Sequence, residues 1–104
     1  MEVEPKYQAK LIKKIENRFP GCMVLKNDPN YIQGVPDLLV LYNNKWAALE
    51  CKRTESAHHQ PNQDFYVSSM NDMSFARFIF PENEEEVLSE LQSTFGSRRK
   101  ARVS

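Results

Sequence analysis

Cysteine is nearly missing from this chain: Cys22 and Cys51 are the only two in 104 residues. Two thiols cannot make a disulfide framework, nor a four-ligand zinc site without much help from other residues. Both read as reduced core residues of a cytoplasmic protein. Net charge is missing as well, because 14 Lys and Arg balance 14 Asp and Glu. Bulk charge therefore points to no nucleic-acid partner. No apolar run approaches the ~18 residues of a membrane span, and the opening "MEVEPKYQAK" lacks the apolar core of a signal peptide. Repeats and low-complexity stretches are absent too. The expectation is a protein that acts where it is made, away from membranes.

What is present is ordinary in bulk, with 40% hydrophobic and 27% charged residues. The length suits one domain with a modest core, expected over residues 1–96. A basic tail, "SRRKARVS", occupies 97–104 and is expected to be mobile.

Periodicity gives the elements. "EPKYQAKLIKKIENRFPG" predicts a helix, with Pro5 in the first turn, apolar residues at Tyr7, Leu11, Ile12, Ile15 and Phe19, and a Pro20-Gly21 stop. "CMVLKN" predicts a short strand, ended by the turn-rich "NDPNY". "DLLVLY" and "KWAALECK" form a hairpin around Asn43-Asn44, because Asn tolerates the left-handed backbone of a two-residue turn. After a polar loop, "QDFYVSSMNDM" predicts a helix with Asn62 as N-cap. "FARFIF" predicts a strand stopped by Pro81, and "NEEEVLSELQSTF" an amphipathic helix with its acids early. The order α-β-β-β-α-β-α predicts an α+β protein, a mixed central sheet flanked by helices on both faces.

Three charges on the hairpin stand out. With Tyr42 opposite Lys45, counting outward sets Asp37 opposite Glu50, their Cβ atoms ~5 Å apart on one face. Lys52 lies two residues beyond Glu50 and joins that face, while Cys51 points the other way. A slip of one residue would scatter the group. Two carboxylates at ~5 Å and an effective dielectric of ~20 repel by about 3 kcal/mol, so something must neutralise them. Lys52 alone could do so, as a structural ion-pair cluster. A divalent cation is the other solution, and converging oxygen ligands suit Mg²⁺ or Mn²⁺. The geometry of the hairpin leaves both open.

The first helix adds a third acid. At ~100° per residue, Glu4 lies about 20° from Leu11, within the core-facing stripe, while Glu16 points about 140° away, to solvent. Glu4 would face a metal site or, alternatively, reach water past the sheet as a helix-dipole acid.

"VPD", a hairpin and "ECK" together resemble the PD-(D/E)XK nuclease signature, in Pro36-Asp37 and Glu50-Cys51-Lys52. The element order up to about Phe80 resembles the αβββαβ, restriction-endonuclease-like core of that superfamily. "GVPDLL", "ECKR" and the downstream "QPNQ" are most similar to small phage-type nucleases, the VRR-NUC group and the Holliday-junction-resolving endonucleases. The resemblance implies a metal-dependent endonuclease that hydrolyses DNA, selecting branched substrates by shape. It implies Mg²⁺, with Mn²⁺ as substitute, held by Asp37, Glu50 and the Cys51 carbonyl. Lys52 would orient the attacking water or stabilise the charged phosphorane. Glu4 would match the helix acid, and Gln63 would position the lysine or a phosphate. Small nucleases of this kind often work as homodimers, and a phage-encoded one would act in the host cytoplasm. The alternatives are a VRR-NUC-type nuclease of different substrate preference, a nuclease fold that binds DNA without cutting, and an unrelated interaction domain.

For DNA contacts the expectation falls on Lys26 and Arg53, which flank the site, and on Arg98, Arg99, Lys100 and Arg102 of the tail. Lys6, Lys10, Lys13 and Lys14 read as a solvated helix face. His58-His59 lacks the i, i+4 spacing of a helical metal site and reads as a loop pair without a catalytic role. Tyr7, Trp46, Phe65, Tyr66, Phe75, Phe78 and Phe80 read as core.

Overall fold

Asn43 takes a left-handed φ of 56° and turns the chain between β2 (Leu38–Tyr42) and β3 (Lys45–Cys51). This hairpin is the centre of the computed structural model, which describes residues 3–96, with side chains from residue 5. Strand β1 (Met23–Lys26) pairs antiparallel with β2, and β4 (Phe75–Ile79) pairs parallel with β3, giving the order β1-β2-β3-β4. Helices α1 (Val3–Arg18), α2 (Gln63–Met73) and α3 (Glu84–Phe95) complete an α+β fold with a mixed sheet. The register runs from Tyr42↔Lys45 to Leu38↔Leu49. This is the register that counting from the turn predicts, and Asp37 lies at a bend one residue before the ladder begins.

Alternation decides which face each residue serves. Leu38, Val40 and Tyr42 of β2 and Ala47, Leu49 and Cys51 of β3 are buried against α1 and α3. Leu11, Ile15 and Phe19 deliver the predicted stripe of α1, and Glu16 is exposed. Rings of Phe19, Tyr42 and Phe95, with centroids 5.3–5.8 Å apart, tie the two helices to the hairpin turn. On the other face α2 packs mainly on β3 and β4, where Ala48 and Ala76 are small enough to let Val67 approach. Met23 and Leu25 of β1 stay 60% and 46% exposed. Cys51 is buried on the α1 and α3 face, as expected, and neither cysteine is in a disulfide. No helix among the described residues is long and apolar enough to cross a membrane.

Two local expectations need correction. Asn62 is the N-cap residue of α2, as expected, but its side chain makes no capping bond; its backbone is left-handed, with φ 75°. A capping side chain needs the extended backbone that Asn62 lacks. Close packing accompanies this conformation: a Cβ on Gly34, itself at φ 94°, would lie 2.6 Å from the Asn62 Cβ. Gly34 thus seats the loop before Asp37 directly on the start of α2. Gly34→Ala adds both a clash and an unfavourable φ, so we expect a loss of about 1–3 kcal/mol in thermal or urea denaturation. Phe65 is the other correction, for it is 63% exposed and not core. It follows Asp64 on the solvent side of α2, whereas Val67 takes the buried position.

Glu84, one of the early acids of α3, is nearly buried rather than solvated. Its carboxylate accepts from the Tyr7 hydroxyl at 3.0 Å and from Lys14 Nζ at 2.6 Å, joining α1 to α3. Burial, and then the Glu84 hydrogen bond, push the Tyr7 hydroxyl well above its ordinary pKa of 10.0. A group raised on folding stabilises fully below its unfolded value and loses that contribution as pH climbs towards the folded one. Above pH 10.0, then, wild type should lose melting temperature faster than Tyr7→Phe, which carries no ionisable hydroxyl there.

Candidate functional site

Asp37 is held before its strand begins. Asn27 donates its backbone N–H to the Asp37 carbonyl at 2.8 Å and its side-chain amide to the Pro36 carbonyl at 2.6 Å. The Asp37 carboxylate then accepts from the Cys51 N–H at 3.0 Å, across the open end of the hairpin. In extended backbone a residue's N–H and C=O point to the same side. The Cys51 carbonyl therefore faces Asp37 as well, while its thiol lies in the core behind.

Glu50 and Lys52 are only 4% and 6% exposed. The Lys52 N–H donates to Ile79 at 2.9 Å, extending the β3–β4 ladder one residue beyond Cys51 and fixing where the side chain starts. Its ammonium donates to Gln63 Oε1 at 2.7 Å and to the His58 carbonyl at 2.9 Å, and stands 3.9 Å from Glu50 Oε2. Gln63, the first residue of α2, joins the pair: its Nε2 donates to Glu50 Oε2 at 2.9 Å. Its Oε1 also accepts the Gln60 N–H at 2.8 Å. Two donors on one atom settle which end of the amide is oxygen.

These groups line one open cleft of about 430 Å³. Asp37, Glu50, Cys51 and Lys52 form its floor, His58, Gln60 and Gln63 one wall, and Pro5 and Gln8 of α1 the other. Asp37, Glu50, Lys52 and Gln63, singled out in the sequence, thus lie together in one cleft. Glu4 lies in the first turn of α1, but its side chain is outside the described residues. Its chain neighbour Pro5 and Gln8, one turn later, both reach the cleft.

The expected DNA contacts fare less well. Lys26 and Arg53 are exposed, but neither lines the cleft. Lys26 pairs with Leu38, which places it on the α1 and α3 side of the sheet, opposite to Asp37 and Glu50. Arg98, Arg99, Lys100 and Arg102 lie outside the described residues. Of the helix lysines, Lys14 is tied to Glu84 while Lys6, Lys10 and Lys13 are exposed.

Sequence reasoning missed Gln8, the His58 carbonyl and the Gln60 N–H. Gln8 had a signal, since it stands four residues after Glu4 and so on the same face of α1. Backbone groups of an irregular loop carry none.

Among the described residues no three His, Cys, Asp or Glu side chains form a metal-holding group. Mg²⁺ does not require that many: one or two carboxylates suffice, with water completing an octahedron. Asp37, Glu50 and the Cys51 carbonyl are oxygen donors, and the Cys51 sulfur faces the core. That set fits a hard cation. The chain matches no family model, no curated protein and no solved structure.

Proposed function

We propose that this protein is a metal-dependent endonuclease that hydrolyses DNA phosphodiester bonds, with a preference for branched DNA such as Holliday junctions. The observation that carries the reading is the Gln63 amide, which bridges buried Glu50 and Lys52 beside Asp37 in a cleft open to solvent. Burying an ion pair in a small fold is a poor route to stability, because the desolvation of both charges offsets their attraction. Chemistry explains the arrangement better than stability does. The resemblance to PD-(D/E)XK nucleases supports the same reading and the same residues.

Asp37, Glu50 and the Cys51 carbonyl would hold Mg²⁺ or Mn²⁺. A cation bound there supplies Lewis acidity towards the phosphate and lowers the pKa of water. The chain's own part is positional. Lys52 presents N–H donors to the attacking water or to the phosphate oxygens as their charge grows. Gln63 and the His58 carbonyl hold the ammonium in place, so no reorganisation is needed when the charge develops. Water forms the new bond to phosphorus, one P–O bond to a sugar breaks, and the departing oxygen takes up a proton. Arg53 and the tail residues Arg98, Arg99 and Lys100 would contact phosphates outside the cleft, and a homodimer would present two clefts to two strands.

The test is cleavage of Holliday junctions, flaps, plasmid, single-stranded DNA and RNA by the purified protein. With Mg²⁺ or Mn²⁺, junctions should be cut, and chelation should stop the reaction. Junction binding without cutting would favour a DNA-binding role for the fold. If every substrate survives under both cations, the catalytic reading is lost.

A further inference from the structure

His59 touches nothing in the cleft, yet both of its chain neighbours do. The His58 carbonyl accepts from Lys52 Nζ at 2.9 Å, and the Gln60 N–H donates to Gln63 Oε1 at 2.8 Å. The chain from Arg53 to Asn62 contains no helix or strand, and one turn bond, from the Gln63 N–H to the Gln60 carbonyl at 3.2 Å, ties its end to α2. The His59 side chain adds two further anchors. Its ring stacks on Phe78, with centroids 4.1 Å apart and an interplanar angle of 19°. Its Nδ1 lies 2.8 Å from Asp64 Oδ1. A carboxylate only accepts, so Nδ1 carries the proton and donates.

Both anchors sit on elements of the site's own frame, although the Asp64 side chain is exposed. Phe78 stands beside Glu50 in the β3–β4 register, and Asp64 follows Gln63 in the first turn of α2. From this we infer that His59 is a positioning residue of the cleft: it clamps the 58–60 segment to β4 and α2, so that His58 and Gln60 hold Lys52 and Gln63 in working geometry. The inference rests on the nuclease reading for its catalytic consequence, but the clamp itself is a structural statement that can be read without cleavage.

Without the ring, the segment loses its stacking surface and its side-chain hydrogen bond together. Lys52 then keeps its bond to Gln63 while the carbonyl that holds it from the other side drifts. A displacement of about 1 Å in catalytic groups can lower a rate about 10²-fold. His59→Ala should therefore reduce kcat by roughly 10- to 100-fold with little change in KM, because the Lys52 that the clamp holds acts on charge that grows in the transition state. His59→Phe keeps the stack and should recover much of the rate. A residue with a merely stabilising role would lower the melting temperature and leave kcat of the folded protein alone.

The experiment pairs kcat and KM on a Holliday junction with amide hydrogen exchange, for wild type, His59→Ala and His59→Phe. The Gln60 amide should exchange about tenfold faster or more in His59→Ala, while Leu39 and Leu49 of the hairpin stay as protected as before. A Gln60 amide equally protected in His59→Ala overturns the clamp, whatever the rate. Unchanged kcat beside a deprotected Gln60 overturns the positioning role. If wild type cuts nothing and Gln60 still loses protection in His59→Ala, the clamp stands and the nuclease reading is what fails.

Discussion

Asp37→Asn should leave the protein folded, at least as stable as wild type in the absence of divalent cations, and about 10³-fold or more slower in cleavage. The two halves of this result have separate causes. Asparagine still offers an oxygen to the Cys51 N–H, so the 3.0 Å bond across the open hairpin can persist. The lost negative charge relieves repulsion with Glu50, which at ~5 Å and a dielectric of ~20 is on the order of 3 kcal/mol before water screens it. Residues kept for chemistry commonly oppose stability in this way. Cation linkage separates this account from a structural ion-pair cluster. Wild type should gain stability on addition of Mn²⁺, by about 2.7 kcal/mol at one hundred times Kd, and Asp37→Asn should not. Thermal denaturation with and without Mn²⁺ measures both.

Lys52→Ala should fail in the opposite sense. Here the metal-free protein loses stability, because Glu50, 4% exposed, keeps its charge and loses the nearby ammonium. Breaking a buried pair costs about 3–5 kcal/mol, which in a domain of this size lowers the melting temperature by roughly 10 °C or more. The His58 carbonyl and Gln63 Oε1 each lose a donor as well. Divalent cation should restore part of the stability by returning positive charge to the acids. It should not restore the rate, which we expect to stay down by about 10²- to 10³-fold, the cost of removing one fixed donor to a developing oxyanion. Junction binding, measured by mobility shift, should remain near wild type. Equal cutting by Lys52→Ala and wild type removes the role assigned to Lys52.

The hairpin was legible because three local rules agree on it. The Asn43-Asn44 turn set the register, period-two alternation set the face, and the apolar run made any slip costly. Once the register was fixed, the placement of Cys51 in the core followed, and Asp37 and Glu50 line one cleft. The helices were legible for the same reason, since Leu11, Ile15 and Phe19 keep one helical stripe. What the sequence hid depends on contacts between distant segments. Nothing local to Asn62 announces that Gly34 will press on it and keep its side chain from capping. Nothing local to Glu84 announces that Tyr7 and Lys14 will converge on it from another helix. The His58-His59 pair reads as an idle loop because its part in the cleft is played by a backbone carbonyl, and by a ring whose partners lie in β4 and α2. Gln8 alone was within reach, on the face of α1 already assigned to Glu4.

The proposed cleavage depends on oxygen atoms of Asp37, Glu50 and the Cys51 backbone meeting around one cation. Anomalous diffraction from a crystal soaked in Mn²⁺ tests this most directly. The account predicts a single strong peak within bonding distance, about 2.0–2.3 Å, of both carboxylates and the Cys51 carbonyl, with Lys52 Nζ beside it and not ligating. No peak there at saturating Mn²⁺, or an ammonium of Lys52 occupying the space between the acids, would contradict it.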